Sequence, residues 1–494
     1  MQSLWSKTET LPSFPKLEGN LSVDVAVIGG GIAGLLTAYS LKNRGIDVAL
    51  LEAAKIASGQ TKNTTAKITS QHGLIYGKLL QSFGKEKASQ YARANQEAIR
   101  RYLQIIRKES IKCNWESRPA YLYSLKEGES LEQETLAAQK LGIPARYTEQ
   151  TTLPFPCAKA IRFDEQAQFH PLKFISKIAP KLRIFEHTAV KEVKENRLIT
   201  YSGNVIAKKI VFTTHYPFIN APGYYFMRMH QERSYVLALN EAMELDGMYL
   251  GIDEECGLSL RNAEGALLLG GASHRCGENS KGGRYRLLRK SAKSFWPESR
   301  EIAAWSAQDC MTLDSVPYIG QYSENTPDWY VATGFGKWGM TTSMVAAEIL
   351  SDLICEKKND YAEVFSPQRD TIGPSVKNFL IEGKQAVKGI GRRIFSSPQI
   401  DEMELKCGEG AVIELAGEKL GAYRDETGRL YLVSVKCPHL GCQLEWNPDE
   451  KSWDCPCHGS RFDFKGNILD NPAQEGLQCE ESDDAASSQK DQME

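Results

Sequence analysis

The sequence has no long apolar run, little net charge and few cysteines for its length. A membrane helix needs about 20 consecutive apolar residues, and no stretch approaches that length. The formal net charge of -2 gives no reason to expect a nucleic-acid partner. Twelve cysteines in 494 residues are too few for a disulfide scaffold. The first residues lack the basic start and apolar core of a secretory signal, so the sequence predicts a cytoplasmic protein.

What is present is the composition of a globular protein, with 41% hydrophobic and 25% charged residues. The chain is too long for one ordinary domain, so two or three domains are expected. The cysteines are unevenly distributed, because most are scattered singly whereas four fall within positions 437–457. That cluster and a glycine-rich turn near the N-terminus carry most of the functional information.

The glycine-rich turn follows a short β-branched run that ends at Ile28 and precedes an apolar helical pattern. Gly29 permits a tight turn, Gly31 lets the backbone approach a pyrophosphate, and Gly34 allows close packing of helix against strand. The helix N-terminus then faces the phosphates. A second predicted strand ends at Glu52, which can accept hydrogen bonds from a ribose diol. Strand, turn, helix, strand and acid together predict a dinucleotide site.

Four segments of the first 360 residues resemble the D-amino-acid-oxidase-like FAD oxidoreductases, the group of glycine and sarcosine oxidases. Residues 25–53 are similar to the family's opening, and 57–69 to the Ser/Gly/Thr-rich stretch that passes under the FAD pyrophosphate. Residues 305–320 resemble its Trp…Thr-x-Asp-x-x-Pro-x-Ile-Gly segment, and 329–340 its closing FAD motif, a strand that ends in a glycine-rich turn.

This resemblance implies FAD as cofactor. It also implies an α/β Rossmann-like FAD domain with an antiparallel α+β substrate domain, whose sheet roofs the flavin. The residues implied to bind FAD are Gly29, Gly31, Ile32, Ala33, Gly34, Glu52, Thr61, Thr65, Ala66, Val190, Gly334, Gly336, Gly339 and Met340.

The substrate site is less clearly marked. Flavin amine oxidation needs an oriented substrate, often held by an arginine that clamps a carboxylate, and a cation near the flavin. Arg261 is the candidate clamp, with a surface or strand-edge role as the alternative, and Lys337 and Lys67 are the candidate cations. His72 could form a covalent bond to the flavin or be structural. The Arg-Pro doublet of many relatives is absent, because Asn262 follows Arg261.

The C-terminal cluster consists of two short loops rich in thiol and imidazole groups. Cysteine and histidine content alone would favour zinc. A Rieske centre instead binds one iron through two cysteines and the other through two histidines, so that each loop supplies one of each. Both loops here do, and CPHLGC…CPCHGS closely resembles the Rieske proteins of cytochrome bc complexes. The six residues are Cys437, His439, Cys442, Cys455, Cys457 and His458.

The Rieske resemblance implies a role for each of these residues and a small all-β domain that carries a [2Fe-2S] cluster. Residues 471–473 resemble the proline-containing loop that covers the cluster. The implied inner-iron ligands are Cys437 and Cys455, the outer-iron ligands His439 and His458, and the disulfide pair Cys442 and Cys457.

One departure from the Rieske pattern concerns the cluster potential. In high-potential members the residue two positions after the loop serine is a tyrosine that donates to a ligand sulfur. Ser460 is retained here, but Phe462 occupies the tyrosine position. A lost hydrogen bond to sulfur destabilises the reduced state, so the sequence predicts a potential below the upper Rieske limit of about +300 mV.

The predicted domains are an FAD oxidoreductase at 1–365, a linker at 366–400, a Rieske domain at 401–478 and a disordered acidic tail at 479–494. The linker carries a basic amphipathic helical pattern. Such a helix can lie on an anionic membrane, which would give a peripheral membrane contact, or strap one domain to another, which we favour.

These features predict an FAD-dependent dehydrogenase that acts on the CH–NH or CH–NH2 group of a small amine or amino acid. Electrons would pass one at a time through the Rieske cluster to an external one-electron carrier or quinone. Two alternatives remain at this level. The chain could be an oxidase whose Rieske domain is a redox sensor or docking module, or a reductase that feeds electrons to a separate oxygenase.

Overall fold

The fold is given by a computed structural model that describes residues 2–126, 128–253, 257–369, 404–415 and 417–482. The described residues form two compact units. The larger unit contains 2–224, 234–273 and 285–369, and the smaller contains 225–233, 274–284 and 404–482. The predicted linker helix and the tail beyond 482 lie outside the described residues, so both remain predictions.

The first sheet of the larger unit has eight strands. They are β1 (Leu21–Ile28), β2 (Val48–Leu51), β9 (Arg183–Phe185), β10 (Val190–Lys194), β11 (Arg197–Thr200), β12 (Asn204–Phe212), β18 (Tyr318–Ser323) and β19 (Thr326–Thr333). Strands β19, β12, β1, β2 and β9 pair in parallel, in that order. Their apolar, β-branched runs suit a sheet buried on both faces. The turns after β1, β2 and β19 therefore meet at one edge of the sheet.

The second sheet of this unit also has eight strands. They are β5 (Ala120–Ser124), β6 (Ala145–Thr148), β7 (Lys159–Phe163), β13 (Met229–Asn240), β14 (Met248–Gly251), β15 (Ser259–Ala263), β16 (Ala266–Arg275) and β17 (Arg300–Thr312). Most pairs are antiparallel, whereas β14 and β5 pair in parallel. This arrangement matches the substrate sheet expected from the resemblance. A small third sheet contains β3 (Lys67–Ile68), β4 (Glu116–Ser117) and β8 (Ala167–Gln168).

Eight α-helices occur among the described residues. They are α1 (Leu4–Thr8), α2 (Ile32–Asn43), α3 (Tyr76–Lys108), α4 (Glu129–Lys140), α5 (Pro171–Ile178), α6 (Arg284–Phe295), α7 (Gly339–Ile354) and α8 (Ala362–Phe365). Helix α2 is buried along its first ten residues and packs against α7, as its continuous apolar pattern predicts. Helix α3 is the longest of these helices, with a break at Gly84, whose φ is +75°.

The C-terminal part of the smaller unit is built from two four-stranded sheets. One contains β20 (Gly410–Leu415), β21 (Glu418–Arg424), β22 (Leu430–Ser434) and β27 (Cys479–Ser482), and the other β23 (Glu445–Asn447), β24 (Ser452–Asp454), β25 (Arg461–Asp463) and β26 (Ile468–Asp470). The predicted all-β character of this region is confirmed.

The predicted start of the disordered tail requires a correction. Residues 479–482 form β27 and pair with β22 in antiparallel register, because β22 would otherwise leave an unpaired edge. Among the described ranges, no helix has the length and apolar character that a membrane crossing requires. The cytoplasmic location stays a prediction.

Candidate redox cofactor sites

The glycine turn after β1 is packed so closely that side chains are excluded. Gly29 has a φ of +106°, and a Cβ there would lie 2.6 Å from the carbonyl oxygen of Thr213. A Cβ on Gly34, in the first turn of α2, would overlap the carbonyl oxygen of Gly29. Gly31 precedes α2 without a side-chain cap. The N–H groups at a helix N-terminus attract anions, so the turn fits the pyrophosphate of a dinucleotide.

Two predicted FAD residues converge on this turn from outside it. The Glu52 carboxylate, directly after β2, accepts hydrogen bonds from the N–H groups of Gly30 (2.6 Å) and Ala54 (2.8 Å). Burial nonetheless raises the pKa of Glu52 above its usual value. The Thr61 hydroxyl accepts from the N–H of Ile32 at 3.0 Å. Both side chains therefore fix the backbone of the turn in the conformation described.

Arg261 supports the segment that carries Thr65 and Ala66. Its Nη1 donates to the carbonyl oxygens of Thr65 at 2.8 Å and Ala66 at 2.7 Å. The guanidinium lies 5.4 Å from the ring centroid of Trp5, and only 3% of the residue is exposed. Burial lowers the pKa of Arg261 to about 9. This geometry corrects the predicted carboxylate clamp, because the guanidinium is engaged by backbone carbonyls.

The two candidate lysines lie in different environments. The Lys67 ammonium donates to the carbonyl oxygen of Tyr249 at 2.9 Å and to the Ser259 hydroxyl at 2.6 Å, both on the substrate sheet. Burial, and then the charge of Arg261, lowers the pKa of Lys67 to about 7. Lys337 is exposed, has a φ of +73°, and lies 3.1 Å from the Ser273 hydroxyl. Lys67 is therefore the better candidate for an active-site cation.

The predicted closing motif forms a sharp turn between β19 and α7. Gly334 and Gly336 have φ values of +72° and +53°, which favour glycine. Helix α7 begins at Gly339 without a side-chain cap. The Thr341 hydroxyl accepts from the N–H of Thr69 (2.9 Å) and donates to its carbonyl oxygen (2.8 Å). Thr341 was not among the residues predicted from the sequence, although it directly follows the predicted FAD residue Met340.

His72 has a structural role. Its Nε2 donates to the carbonyl oxygen of Thr69 at 2.7 Å, so Nδ1 accepts from the Tyr91 hydroxyl at 2.7 Å. The ring stacks on Trp338 with centroids 4.6 Å apart. Burial lowers the pKa of His72 to about 3. Since both nitrogens are engaged, the structural alternative is favoured over a covalent flavin bond.

The remaining FAD candidate lies at the edge of the first sheet. Val190 opens β10 and is buried. The other candidates lie in or beside the turns that follow β1, β2 and β19, or in the segment 61–66. The predicted role of Val190 in binding FAD stays a prediction.

The two cysteine loops of the smaller unit share one backbone conformation. In the first loop Cys437 N–H donates to Cys442 O and Gly441 N–H donates to Cys437 O, each at 2.9 Å. In the second loop Cys455 N–H donates to the residue 460 carbonyl at 2.8 Å, and Gly459 N–H to Cys455 O at 3.0 Å. Both glycines have left-handed φ values, +77° and +81°, so each loop requires its glycine.

The four predicted ligand side chains meet between these loops. The Cys455 thiol donates to Cys437, and this bond lowers the pKa of Cys437 to about 7, whereas the pKa of Cys455 is raised. The rings of His439 and His458 lie nearly perpendicular with centroids 4.9 Å apart. Two thiols therefore face one another on one side and two imidazoles on the other, which fits a cluster with one thiolate-bound and one imidazole-bound iron.

Cys442 and Cys457 form a disulfide that joins the two loops. The sulfurs of Cys442, Cys455 and Cys457 lie within 4.8 Å of one another, which by distance alone would allow a three-thiol metal site. We favour the predicted set instead, because two of these sulfurs are bonded to each other and cannot act as thiolate ligands.

Hydrogen-bond donors surround the ligand sulfurs. The Ser460 hydroxyl donates to Cys437 and accepts from the N–H of Ala473 at 3.0 Å. The backbone N–H groups of His439 and Leu440 also point to Cys437. Such donors stabilise negative charge on sulfur, so these loops fit a reducible iron–sulfur cluster.

Comparison with protein families agrees with both sites. Residues 24–353 match the family of FAD dependent oxidoreductases. The chain belongs to this family. Residues 397–481 match the Rieske [2Fe-2S] domain. This FAD-dependent oxidoreductase therefore carries FAD and a Rieske [2Fe-2S] cluster, and both cofactor predictions are confirmed.

One relative extends this match over 96% of the chain, and two solved structures superpose on part of it. A Bacillus subtilis (strain 168) protein, named as the Rieske 2Fe-2S iron-sulfur protein YhfW, is 38% identical over 489 residues, which cover 96% of each chain. Glycine oxidase from Geobacillus kaustophilus superposes with a TM-score of 0.60 at 17% identity, over 71% of this chain and 99% of its own. L-amino acid deaminase from Proteus vulgaris gives 0.59 at 16%, over 73% and 100%. The two solved structures confirm the predicted oxidoreductase fold.

Two buried ion-pair groups of this FAD-dependent oxidoreductase were not predicted from the sequence. Arg369 donates to both carboxylate oxygens of Asp314, at 2.7 and 2.9 Å, within the Thr-x-Asp segment. Arg461 donates to Asp454 (2.8 Å) and Asp470 (2.9 Å) in the Rieske domain. Buried charges need such partners. The Asp314 pair joins residues 55 positions apart, which local sequence patterns could not indicate.

We predict that Phe462→Tyr raises the reduction potential of the cluster. Phe462 is completely buried in the hydrophobic core that contains all four loop cysteines. A new hydroxyl there can donate to a ligand sulfur and stabilise the reduced state. Redox titration followed by EPR would measure the shift, with Phe464→Tyr as a control on the same core's partly exposed margin. An unchanged or lower potential in Phe462→Tyr would contradict the prediction.

Proposed function

We propose that this chain is an FAD-dependent dehydrogenase of the amine-oxidising type. It would oxidise a C–N bond of a small amine or amino acid and pass the electrons one at a time through its Rieske cluster to an external one-electron carrier or quinone. The observation that carries this proposal is the presence in one chain of a dinucleotide cradle and a loop pair with two thiols and two imidazoles.

The proposed donor class draws on the structural neighbours. They are a glycine oxidase, an L-amino acid deaminase and, from P. horikoshii, an L-proline dehydrogenase. All three names describe chemistry at a carbon that bears nitrogen. At 16–17% identity they establish the fold only, so the amine donor is part of the proposal.

The proposed FAD site uses the turn after β1 for the pyrophosphate and Glu52 for a ribose diol. The Glu52 carboxylate holds the N–H of Gly30, and its remaining lone pairs would accept from the ribose hydroxyls. The segment with Thr65 and Ala66 would run beneath the cofactor, with Arg261 holding its carbonyl groups. The turn from Gly334 to Met340 would direct the N-terminus of α7 at the isoalloxazine.

When bound, FAD supplies a two-electron acceptor for the substrate carbon. The protein must orient a neutral amine and hold a cation nearby. We assign the cation role to Lys67, because it lies between the FAD segment and the substrate sheet. With its pKa lowered to about 7, Lys67 can also hold or release a proton near neutral pH. Lys337 remains a second candidate.

The proposed cluster ligands are Cys437 and Cys455 for one iron and His439 and His458 for the other. Oxidation of an amine to an imine releases two electrons and two protons, whereas a Rieske cluster accepts one electron. The cluster would therefore turn over twice for each substrate. This division suits a one-electron acceptor better than oxygen, which is why we propose a dehydrogenase.

Anaerobic substrate addition to the holoprotein tests the proposal. Glycine, sarcosine, L-proline and simple N-methylated amines would be mixed with the oxidised protein, while flavin absorbance and the EPR signal of the reduced cluster are recorded together. We expect a true substrate to bleach the flavin and to generate the cluster signal in the same sample. Full chemical reduction should consume two electrons for FAD and one for the cluster.

The outcomes separate the candidate functions. Flavin bleaching with the cluster left oxidised would refute electron transfer and favour a sensor or docking role for the Rieske domain. Flavin reduction that starts from a chemically reduced cluster, without any effect of amines, would favour a reductase that supplies a separate oxygenase. If a Lys67→Met variant bleached the flavin at the rate of the parent, the cation role proposed for Lys67 would be refuted.

A further inference from the structure

Two segments of the oxidoreductase region belong to the same compact unit as the cluster loops. Residues 225–233, here called the cap segment, and residues 274–284 lie inside the part of the chain that matches the FAD family. Nevertheless both cluster with the Rieske domain and not with the rest of that region. The Rieske match at 397–481 contains neither segment, so the cluster surroundings include residues from outside the Rieske domain.

The cap segment contacts both histidines of the proposed outer-iron site. The Phe226 ring lies edge-on to His458 with centroids 5.8 Å apart and to His439 at 6.4 Å. The interplanar angles are 85° and 82°. One aromatic ring therefore covers the paired imidazoles, at the proposed outer-iron edge of the cluster.

Gln231 fixes the cap segment to the second cluster loop. Its Nε2 donates to the carbonyl oxygen of His458 at 2.7 Å and to that of Asn471 at 3.0 Å. Gly459 lies so close that a Cβ there would meet the Gln231 Cβ at 2.6 Å. The second loop is thus shaped to receive this side chain.

Further bonds hold both segments in place. Arg233, with 2% exposed side-chain surface, donates to both oxygens of Glu450 at 2.6 Å. Arg275 donates to the carbonyl oxygen of Pro456 at 3.2 Å, and Asn279 donates to Asn447 at 3.0 Å. A buried bidentate pair of this kind is costly to break, so the cap segment is an integral part of the cluster unit.

We propose that the cap segment closes the histidine edge of the cluster against external electron carriers, with Phe226 and Gln231 as positioning residues. This inference rests on the proposed ligand set of the cluster. An external carrier would have to approach the cluster unit elsewhere.

Full-length holoprotein that has received one reducing equivalent per chain, so that its cluster is reduced and its FAD oxidised, tests the cap. It would be mixed anaerobically with an oxidised c-type cytochrome, and rapid freeze-quench EPR would follow loss of the reduced-cluster signal. In that step the cluster loses one electron and one haem iron(III) becomes iron(II). We expect Phe226→Ala to raise the second-order rate constant several-fold, because the imidazoles would then be open to the carrier.

Three further variants make the result interpretable. Met227→Ala changes an exposed neighbour in the same segment and should leave the rate unchanged. Phe226→Leu keeps an apolar side chain over the imidazoles and should react at the same rate as the parent. It provides a second measurement if Phe226→Ala assembles its cluster poorly. Gln231→Met removes the donor to His458 but keeps a side chain on Gly459, and should also increase the rate.

The proposal would be overturned if the parent and Phe226→Ala reacted at equal rates. It would also be overturned if Met227→Ala accelerated the reaction as much as Phe226→Ala. These results are distinct from failure of the proposed function, since the probe needs neither a substrate nor flavin turnover. An error in the ligand set would appear instead as a Rieske EPR signal that survives replacement of a ligand.

Discussion

Cys437→Ser should give a protein that binds FAD but carries no Rieske cluster. The Cys437 side chain is buried between the two loops, with Cys455, Ser460 and two backbone N–H groups around its sulfur. Serine is isosteric but is not a thiolate, and softer sulfur ligands are what iron–sulfur clusters require. We expect complete loss of the Rieske EPR signal and of cluster iron, while bound FAD stays near one per chain.

The control for this prediction is Cys407→Ser, because Cys407 is an exposed free cysteine of the same domain. It should retain iron, FAD and the EPR signal. Cys455→Ser should reproduce the Cys437→Ser result, since the two sulfurs face one another. A Rieske signal of normal intensity in Cys437→Ser would refute the proposed ligand set. Lower stability of the cluster-free domain is expected, because metal binding contributes to folding.

Gly34→Ala should have the second large effect, loss of FAD with the cluster retained. A Cβ at this position would overlap the Gly29 carbonyl oxygen and lie 2.7 Å from the Thr213 hydroxyl. Both contacts involve the turn that forms the pyrophosphate cradle, so the helix and the strand must move apart. Overpacking of this kind costs about 3 kcal/mol, which corresponds to an affinity roughly 100-fold weaker.

Gly77→Ala is the matched control for the FAD prediction. Gly77 lies in the first turn of helix α3, outside the predicted FAD segments, and a Cβ there would come no closer than 3.4 Å to another residue, the Glu134 carboxylate. Its FAD affinity should equal that of the parent, measured by flavin fluorescence during titration of the apoprotein. Equal FAD affinities in Gly34→Ala and Gly77→Ala would show that the turn after β1 does not hold the cofactor.

The two cofactor sites could be predicted because each depends on a short, local pattern of residue types in the sequence. In the cluster loops, spacing places one cysteine, one histidine and one left-handed glycine in the same turn, as at Cys437, His439 and Gly441. In the FAD turn, Gly29 and Gly34 are required by contacts with the adjoining strand ends and helix. Local backbone requirements of this kind are visible in sequence because only particular residues satisfy them.

The substrate-side residues could not be assigned in the same way. Arg261 is the sequence's candidate for a carboxylate clamp, without the Arg-Pro doublet of many relatives, but its Nη1 donates to carbonyl groups 195 and 196 positions away. His72 has both nitrogens engaged, one by Tyr91 from helix α3. A buried polar group takes the partners that packing brings to it, and those partners are distant in sequence.

The sequence by itself determined the two cofactors, the fold class and the candidate ligands, because glycine turns and closely spaced ligand pairs constrain structure within a few residues. Only the tertiary structure decided which side chains complete each site. Thr341 joins the FAD segment to α7, and Phe226 and Gln231 cover the cluster from more than 200 positions away. Such pairings arise from the meeting of buried surfaces, and their energy depends on shape and desolvation, which no local pattern encodes.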